Sequence, residues 1–138
     1  MSTQPSQLLR IPGACLNSTQ TQKTKKKIIA DIRKGVYKVL YVSPELVVTK
    51  NFADLVHGKE WVKGQRVECA PFPKIGFVCV DEAHCVSEWS HNFRPAYLRL
   101  GLVLCETLGV TNILALTATA TIATLNSVMK CFAISPSG

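Results

Sequence analysis

Several common sequence features are missing from this chain of 138 residues, and each absence argues against a class of protein. No cysteine pair has C-x-x-C spacing and no histidine lies at zinc-finger spacing from such a pair, so no zinc site is predicted. No apolar run reaches the roughly 18 residues of a membrane-spanning helix. Residues 1–7 have no basic-then-apolar signal pattern. We therefore expect an intracellular protein in a reducing compartment, without a membrane partner.

Acidic residues are also scarce: nine Asp and Glu stand against sixteen Lys and Arg, a formal net charge of +7. An excess of this size favours an anionic partner such as nucleic acid. A basic protein without such a partner has the same composition, so charge alone does not decide the function. The 47% of hydrophobic residues is enough for the core of one compact domain.

Short apolar runs alternate with longer helical patterns along the chain. The patterns predict strands at 14–16, 39–42, 75–80 and 113–116, and helices at 23–34, 52–56, 95–108 and 121–132. Such alternation predicts an α/β fold, a parallel sheet with helices on both faces. Residues 51–74 have a weaker pattern broken by glycine and proline, which indicates a surface connection or an insertion. Cys79 lies in an apolar run and is expected in the core.

The most distinctive segment is the apolar run at 77–80, which leads directly into Asp81 and Glu82. In parallel α/β sheets the ligand site lies beyond the carboxyl ends of the strands. Phosphoryl transfer from a nucleotide needs Mg²⁺ held by a carboxylate, directly or through water, and a group that orients the attacking water. Asp81 suits the first role and Glu82 the second. The alternative is an acidic turn that only closes a strand.

A loop that mixes aromatic and basic side chains follows these acids and contains Trp89, His91, Phe93 and Arg94. Aromatic rings stack on unpaired bases, and arginine adds charge and cation–π contact. The alternative is that Trp89 and Phe93 cover the sheet as core residues.

Three hydroxyl residues lie at the ends of predicted strands, namely Ser43, Thr117 and Thr119. Capping of the following helix is the role that the sequence alone predicts for them. A capped helix start can also bind an anion, which makes Ser43 a candidate for contact with a DNA phosphate. The lysine-rich residues 23–27 are typical of a solvated helix face, with nuclear import or nucleic-acid backbone contact as the alternative.

Four segments resemble motifs of the RecQ family of ATP-dependent DNA helicases and follow one another in the order of that family. They are ACLNSTQT at 14–21, YVSPE at 41–45, DEAHCVSEWSHNFRP at 81–95 and ALTATAT at 115–121. The resemblance covers residues 14 to about 134. The run Ser90-His91-Asn92 is similar to the eukaryotic branch linked to Rothmund–Thomson syndrome.

The resemblance implies a three-layer RecA-like fold in which residues 1–138 form part of the first, ATP-binding domain of a 3′-to-5′ DNA helicase. It implies ATP and Mg²⁺ as cofactors and single-stranded and forked duplex DNA as partners. The sequence gives no evidence of an obligate oligomer. It also implies a place in the nucleus or nucleoid and roles in DNA replication, recombination and repair.

The resemblance further assigns roles to individual residues. The catalytic residues would be Asp81, Glu82 and His84, with Asp81 holding Mg²⁺ through water. The nucleotide would be bound by Asp81, Glu82, Thr117 and Thr119, and DNA by Ser43, Trp89, His91, Phe93 and Arg94. In that family the loop reports bound single-stranded DNA to the ATP site. Glu88 stands where the family usually has glutamine, which predicts weaker coupling.

The sequence contains no G-x-x-x-x-G-K-[ST] segment, the loop whose amides and lysine hold nucleotide phosphates. The resemblance places that loop before this region, so we expect part of a longer motor whose sheet lacks the phosphate-loop strand. The chain by itself is expected to be inactive, and marginally stable because the strand at 113–116 would have an open edge. Two other functions stay open. One is a non-catalytic remnant that binds single-stranded DNA, and the other is a DEAH-box RNA helicase, which is not expected to carry the loop SEWSHNFRP.

Overall fold

The computed structural model of the chain describes residues 11–88, 90–118 and 121–134. The chain divides into two compact units, Met1–Pro73 and Lys74–Gly138, each of which is described by itself. Within the described ranges, no helix combines the length and the apolarity needed to cross a membrane.

The first unit contains a strand–helix–strand motif. Strands β1 (Gly13–Leu16) and β2 (Val39–Val42) pair in parallel, and helix α1 (Gln22–Arg33) connects them. The Thr21 side chain caps α1 by accepting a hydrogen bond from the Thr24 N–H. The helix stops before Gly35, whose φ of 77° lies in the left-handed region that glycine adopts readily. The two strands and the helix predicted here are confirmed.

Two short helices follow β2, α2 (Pro44–Val47) and α3 (Lys50–Val56). Each begins at a hydroxyl cap. Ser43 Oγ accepts from the Leu46 N–H at 3.3 Å, and Thr49 Oγ1 accepts from the Phe52 N–H at 3.2 Å. The capping role predicted for Ser43 is therefore confirmed.

A β-hairpin occupies much of the region predicted as a surface connection or insertion. Its strands are β3 (Lys59–Val62) and β4 (Gln65–Glu68), which pair in an antiparallel register. Lys63 and Gly64 form the two-residue turn, and both have positive φ, as tight hairpin turns require. The sequence predicted no strands here because glycine and proline break the pattern. The hairpin is nevertheless largely exposed, as a surface segment would be.

The second unit contains the parallel strands β5 (Val78–Val80) and β6 (Ile113–Ala115). Three helical segments lie between these strands: a 3₁₀ turn (Ala83–Val86), helix α4 (Pro95–Leu102) and a π-helical turn (Val103–Thr107). Helix α5 (Ile122–Cys131) follows β6. All the predicted elements of this unit are present. The predicted helix at 95–108 changes to π geometry in its last turns.

One face of the β5–β6 pair is uncovered in the described residues. Val80 is 4% exposed, whereas Phe77 is 66% and Leu114 is 53% exposed. Cys79 is exposed as well, so the prediction that it is a core residue is wrong. The reason is that side chains alternate between the faces of a strand, and Cys79 lies on the face opposite Val80.

The α/β class and the parallel pairing predicted from the sequence are confirmed. Among the described strands, hydrogen bonds form three pairs, of which β1–β2 and β5–β6 are parallel. Such a mixture of small parallel sheets and helices fits a partial RecA-like domain. Strand β6 pairs with β5 alone among the described strands, so its other edge is open there, as predicted.

Helices α4 and α5 make a close contact at Gly101. A Cβ atom at this position would overlap the carbonyl oxygen of Cys131, so only a hydrogen atom fits. The Cys131 thiol donates to the carbonyl oxygen of Tyr97 at 3.3 Å. Burial raises the pKa of this thiol, which favours the protonated form that donates.

Replacing Gly101 with alanine is expected to destabilise the second unit by about 1–3 kcal/mol, the usual cost of overpacking. The clash with the Cys131 carbonyl outweighs the gain in helix propensity of about 1 kcal/mol. The measurement is thermal unfolding followed by circular dichroism. Gly76→Ala is the matched control, since nothing lies within 4 Å of a Cβ added there. Equal melting temperatures for the two variants would contradict the helix contact.

Candidate functional site

The carboxyl ends of β5 and β6 lie at the same edge of their sheet because the two strands are parallel. Asp81 and Glu82 follow β5 directly, and Thr117 lies just beyond β6. Two backbone hydrogen bonds extend the contact past the strands. The Leu116 N–H donates to the Val80 carbonyl at 2.9 Å, and the Ala83 N–H donates to the Leu116 carbonyl at 2.8 Å. The acidic turn is thereby tied to the segment that carries Thr117.

The two acids form an exposed turn with a defined backbone. Oδ1 of Asp81 accepts a hydrogen bond from the Glu82 N–H at 2.9 Å. Glu82 has a φ of 52°, in the left-handed region that few non-glycine residues adopt. The Tyr97 hydroxyl donates to the Asp81 carbonyl at 3.1 Å, so helix α4 helps to fix the turn. Unusual backbone of this kind is often found at functional sites.

His84 is buried and contacts three segments of the second unit. Its Nδ1 lies 3.0 Å from Oγ1 of Thr117, and its Nε2 lies 3.4 Å from Oε2 of Glu82 and 3.5 Å from Nδ2 of Asn92. A neutral imidazole has one donor and one acceptor nitrogen. A proton on Nδ1 satisfies both hydrogen bonds of the ring, because His84 then donates to the Thr117 hydroxyl and accepts at Nε2 from the Asn92 amide. The contact between Nε2 and the Glu82 carboxylate is a contact at ion-pair distance.

The loop predicted to contact DNA closes back onto the 3₁₀ turn. The Arg94 N–H donates to the Cys85 carbonyl at 3.0 Å, and the Ser90 N–H donates to the Ser87 carbonyl at 3.1 Å. His91 is exposed, whereas Phe93 and Arg94 are half-buried. The Arg94 guanidinium lies 5.1 Å from the centroid of the Tyr97 ring, a cation–π contact inside the unit.

The structure brings together four of the residues predicted from the sequence, Asp81, Glu82, His84 and Thr117. The sequence alone had predicted that Thr117 caps the last helix. This prediction is wrong, because Thr121 takes the capping position. Ser43 belongs to the first unit and caps α2. Trp89 and Thr119 lie outside the described residues.

Two residues of the site were not predicted as site residues from the sequence. Asn92 is a polar loop residue of an ordinary kind, and Tyr97 resembles any buried aromatic residue of a helix. Only their contacts, to His84 and to the Asp81 carbonyl, mark them as parts of the site. Pro95, in the first turn of α4, is the sequence feature that indicates where the loop ends.

The carboxylate of Asp81 suits a Mg²⁺ ion that keeps most of its water ligands. In the described residues, no group of three or more His, Cys, Asp or Glu side chains is arranged to hold a metal. Mg²⁺ commonly keeps several waters and uses one or two carboxylates together with substrate phosphates. The exposed carboxylate of Asp81 can hold such an ion.

Comparison with known proteins identifies the family of this chain. The model of the DEAD/DEAH box helicase family matches residues 4–128. The chain is 41% identical over 120 residues to ATP-dependent DNA helicase Q4 of Mus musculus, covering 87% of this chain and 9% of that protein. It is 40% identical over 125 residues to ATP-dependent DNA helicase Q-like 5 of Arabidopsis thaliana, covering 90% of this chain and 12% of that protein. It is 39% identical over 132 residues to ATP-dependent DNA helicase RecQ of Pasteurella multocida (strain Pm70), covering 94% of this chain and 18% of that protein.

The chain therefore spans less than a fifth of the length of each of these relatives. The matched region nevertheless includes the acidic turn, the loop and the segment 115–121 that carries Thr117. The chain belongs to the DEAD/DEAH box helicase family, and its relatives there are helicases of the RecQ type.

Proposed function

We propose that this chain provides the hydrolytic side of an ATP site and the DNA-sensing loop of a RecQ-type DNA helicase. The observation that carries the proposal is the position of His84, which contacts Glu82, Thr117 and Asn92 at once. A change at any one of these segments alters the surroundings of the same imidazole. The names of the relatives, all ATP-dependent DNA helicases, support ATP and DNA rather than RNA.

On the nucleotide side, Asp81 would hold Mg²⁺ through water and Glu82 would orient the attacking water. His84 is a positioning residue, because it contacts the Glu82 carboxylate rather than the reacting phosphate. Thr117 positions His84 in turn through Nδ1. Thr119 is proposed to act from the same segment. ATP supplies the phosphoryl group that is transferred to water.

On the DNA side, Trp89, His91, Phe93 and Arg94 would contact unpaired bases and the backbone. The contact between Asn92 and His84 joins this loop to the acidic turn, so a strand bound at the loop can influence Glu82. Glu88 is an exposed carboxylate at the start of the loop. Its negative charge repels DNA phosphates and would weaken the coupling.

The wider protein would be a 3′-to-5′ helicase that unwinds forked duplexes in DNA repair and recombination, in the nucleus or nucleoid. Residues 1–138 would be part of its first RecA-like domain, with 51–74 as an insertion and Ser43 as a further phosphate contact. A non-catalytic DNA-binding role that uses Trp89, Phe93 and Arg94 of the loop is the second candidate.

The first test is ATP turnover with Mg²⁺ and single-stranded DNA. It is to be measured on the chain alone and on the chain extended by the phosphate-loop segment of a RecQ-type relative. We expect no turnover by the chain alone. In the extended protein, Glu82→Gln is expected to lower kcat by about 10²–10⁴-fold, the usual effect of losing a general base. Glu106→Gln is the control, the same change at an exposed acid outside the site. Parental turnover in Glu82→Gln would refute the assignment.

The second test concerns the loop and uses fluorescence anisotropy with labelled oligo-dT. Trp89→Ala is expected to raise the Kd of the chain by about 5- to 140-fold, because a stacked base is worth about 1–3 kcal/mol. Trp89→Phe keeps an aromatic face and should restore most of the affinity. Unchanged binding by Trp89→Ala, or equal affinity for oligo-rU and oligo-dT, would count against a DNA-sensing loop.

The third test separates positioning from binding. Thr117→Val removes the hydroxyl that contacts Nδ1 of His84 but keeps the shape of the side chain. In the extended protein we expect a fall of about tenfold in DNA-stimulated kcat, about 1.4 kcal/mol in the barrier, with little change in KM for ATP. Thr111→Val, at an exposed threonine of the same unit, is the control. A change in KM alone would contradict the positioning role.

A further inference from the structure

The net charge of the protein lies entirely in the first unit. Residues 1–73 contain 12 Lys and Arg and five Asp and Glu, a formal +7, whereas residues 74–138 contain four of each and are neutral. The acidic turn and the aromatic loop both belong to the neutral unit. They therefore do not account for the positive charge, which lies in the first unit.

Helix α1 concentrates much of this charge on its exposed side. Lys23, Lys27 and Lys34 recur at helical spacing on one face, opposite the buried Ile32. Lys26 lies seven residues before Arg33 and so projects on the same side of the helix as Arg33. We name Lys23, Lys26, Lys27 and Lys34 the lysine stripe. It extends for about 16 Å along the helix, long enough to follow several phosphates of a strand.

Internal partners of the lysine stripe do little to offset its charge. The one acid of α1, Asp31, pairs with Lys27 at 3.5 Å across an exposed helical turn. The first turn of the helix contains no acid. Like charges gathered at the positive end of a helix dipole disfavour the folded state, and a bound polyanion would relieve this repulsion.

Two ion pairs fix the β-hairpin beside this helix. Nη1 of Arg33 lies 2.8 Å from Oε1 of Glu60 in β3, and Nη2 of Arg66 in β4 lies 2.7 Å from Oδ1 of Asp54 in α3. The Arg33 and Asp54 side chains are only 12% and 8% exposed. These contacts neutralise Glu60 and Asp54 internally, so the two acids do not offset the lysines at the surface.

The hairpin exposes an aromatic ring between cations. Trp61 is 57% exposed, an unusual state for the largest apolar side chain, and Lys59 and Lys63 lie two residues to either side of it. An exposed aromatic face beside cations is the arrangement that binds single-stranded nucleic acid, in which bases stack on rings while cations follow the backbone.

We propose that the lysine stripe, together with Trp61 and Lys63 of the hairpin, binds single-stranded nucleic acid as a second contact besides the aromatic loop. Charge complementarity selects a polyanion, and the exposed indole selects one with unpaired bases. The inference rests on the proposed function only for the identity of the polymer as DNA.

The test is anisotropy of labelled oligo-dT with the full chain at a series of salt concentrations. The variant Lys23→Gln/Lys26→Gln/Lys34→Gln is expected to raise Kd at least tenfold at low salt. It should also lower the slope of log Kd against log salt by about 2, since each phosphate contact on a single strand contributes about 0.7. The matched control Lys74→Gln/Arg99→Gln/Lys130→Gln removes the same charge from exposed residues of the second unit. Equal loss in both triple variants would overturn the proposal, because net charge alone would then explain it.

The indole has its own test. Trp61→Ala is expected to raise Kd for oligo-dT by about 5- to 140-fold and to leave the binding of a duplex of equal length unchanged, while Trp61→Phe stays near the parent. Unchanged oligo-dT binding by Trp61→Ala would overturn the hairpin contact. These measurements distinguish this inference from the proposal for the aromatic loop. Loss of binding in Trp89→Ala with none in the first-unit variants refutes this inference alone, and the reverse result refutes only the loop.

Discussion

The parallel pairing of β5 with β6 is the constraint on which the candidate site depends. It places the end of each strand at one edge, and the hydrogen bond from the Ala83 N–H to the Leu116 carbonyl carries the pairing past the strands. Only then can His84 reach Thr117, which is 33 positions away in the sequence. The left-handed backbone at Glu82 turns the chain sharply and leaves the Glu82 carboxylate within 3.4 Å of the same imidazole.

His84 is buried, so its contacts with Thr117, Glu82 and Asn92 matter for stability. A buried imidazole needs partners for both nitrogens, because an unpaired polar group away from water is costly. Thr117 satisfies one nitrogen, while Glu82 and Asn92 meet at the other. The two contacts at Nε2 need opposite roles of that nitrogen, so the carboxylate and the loop amide compete for it. Such competition is a physical basis for linking the loop to the acidic turn.

The division of charge between the units suggests a division of labour. The neutral second unit holds the two acids that we propose for nucleotide hydrolysis, and a strongly positive field there would repel a bound metal cation. The positive first unit can attract a polyanion without that conflict. Its own acids at Glu60 and Asp54 are used internally, to anchor the hairpin through Arg33 and Arg66.

The sequence alone determined the α/β class, the extent of most elements and the position of the two acids after β5, because these follow from local periodicity, capping and apolar runs. The motif segments also indicated the family. Tertiary structure decided that Thr117 contacts His84 instead of capping α5, that Cys79 is exposed, and that Arg33 and Arg66 stabilise a hairpin in the region of weak pattern. The physical reason is that local patterns report average burial and backbone preference, whereas these outcomes depend on which distant segments the pairing of strands brings into contact.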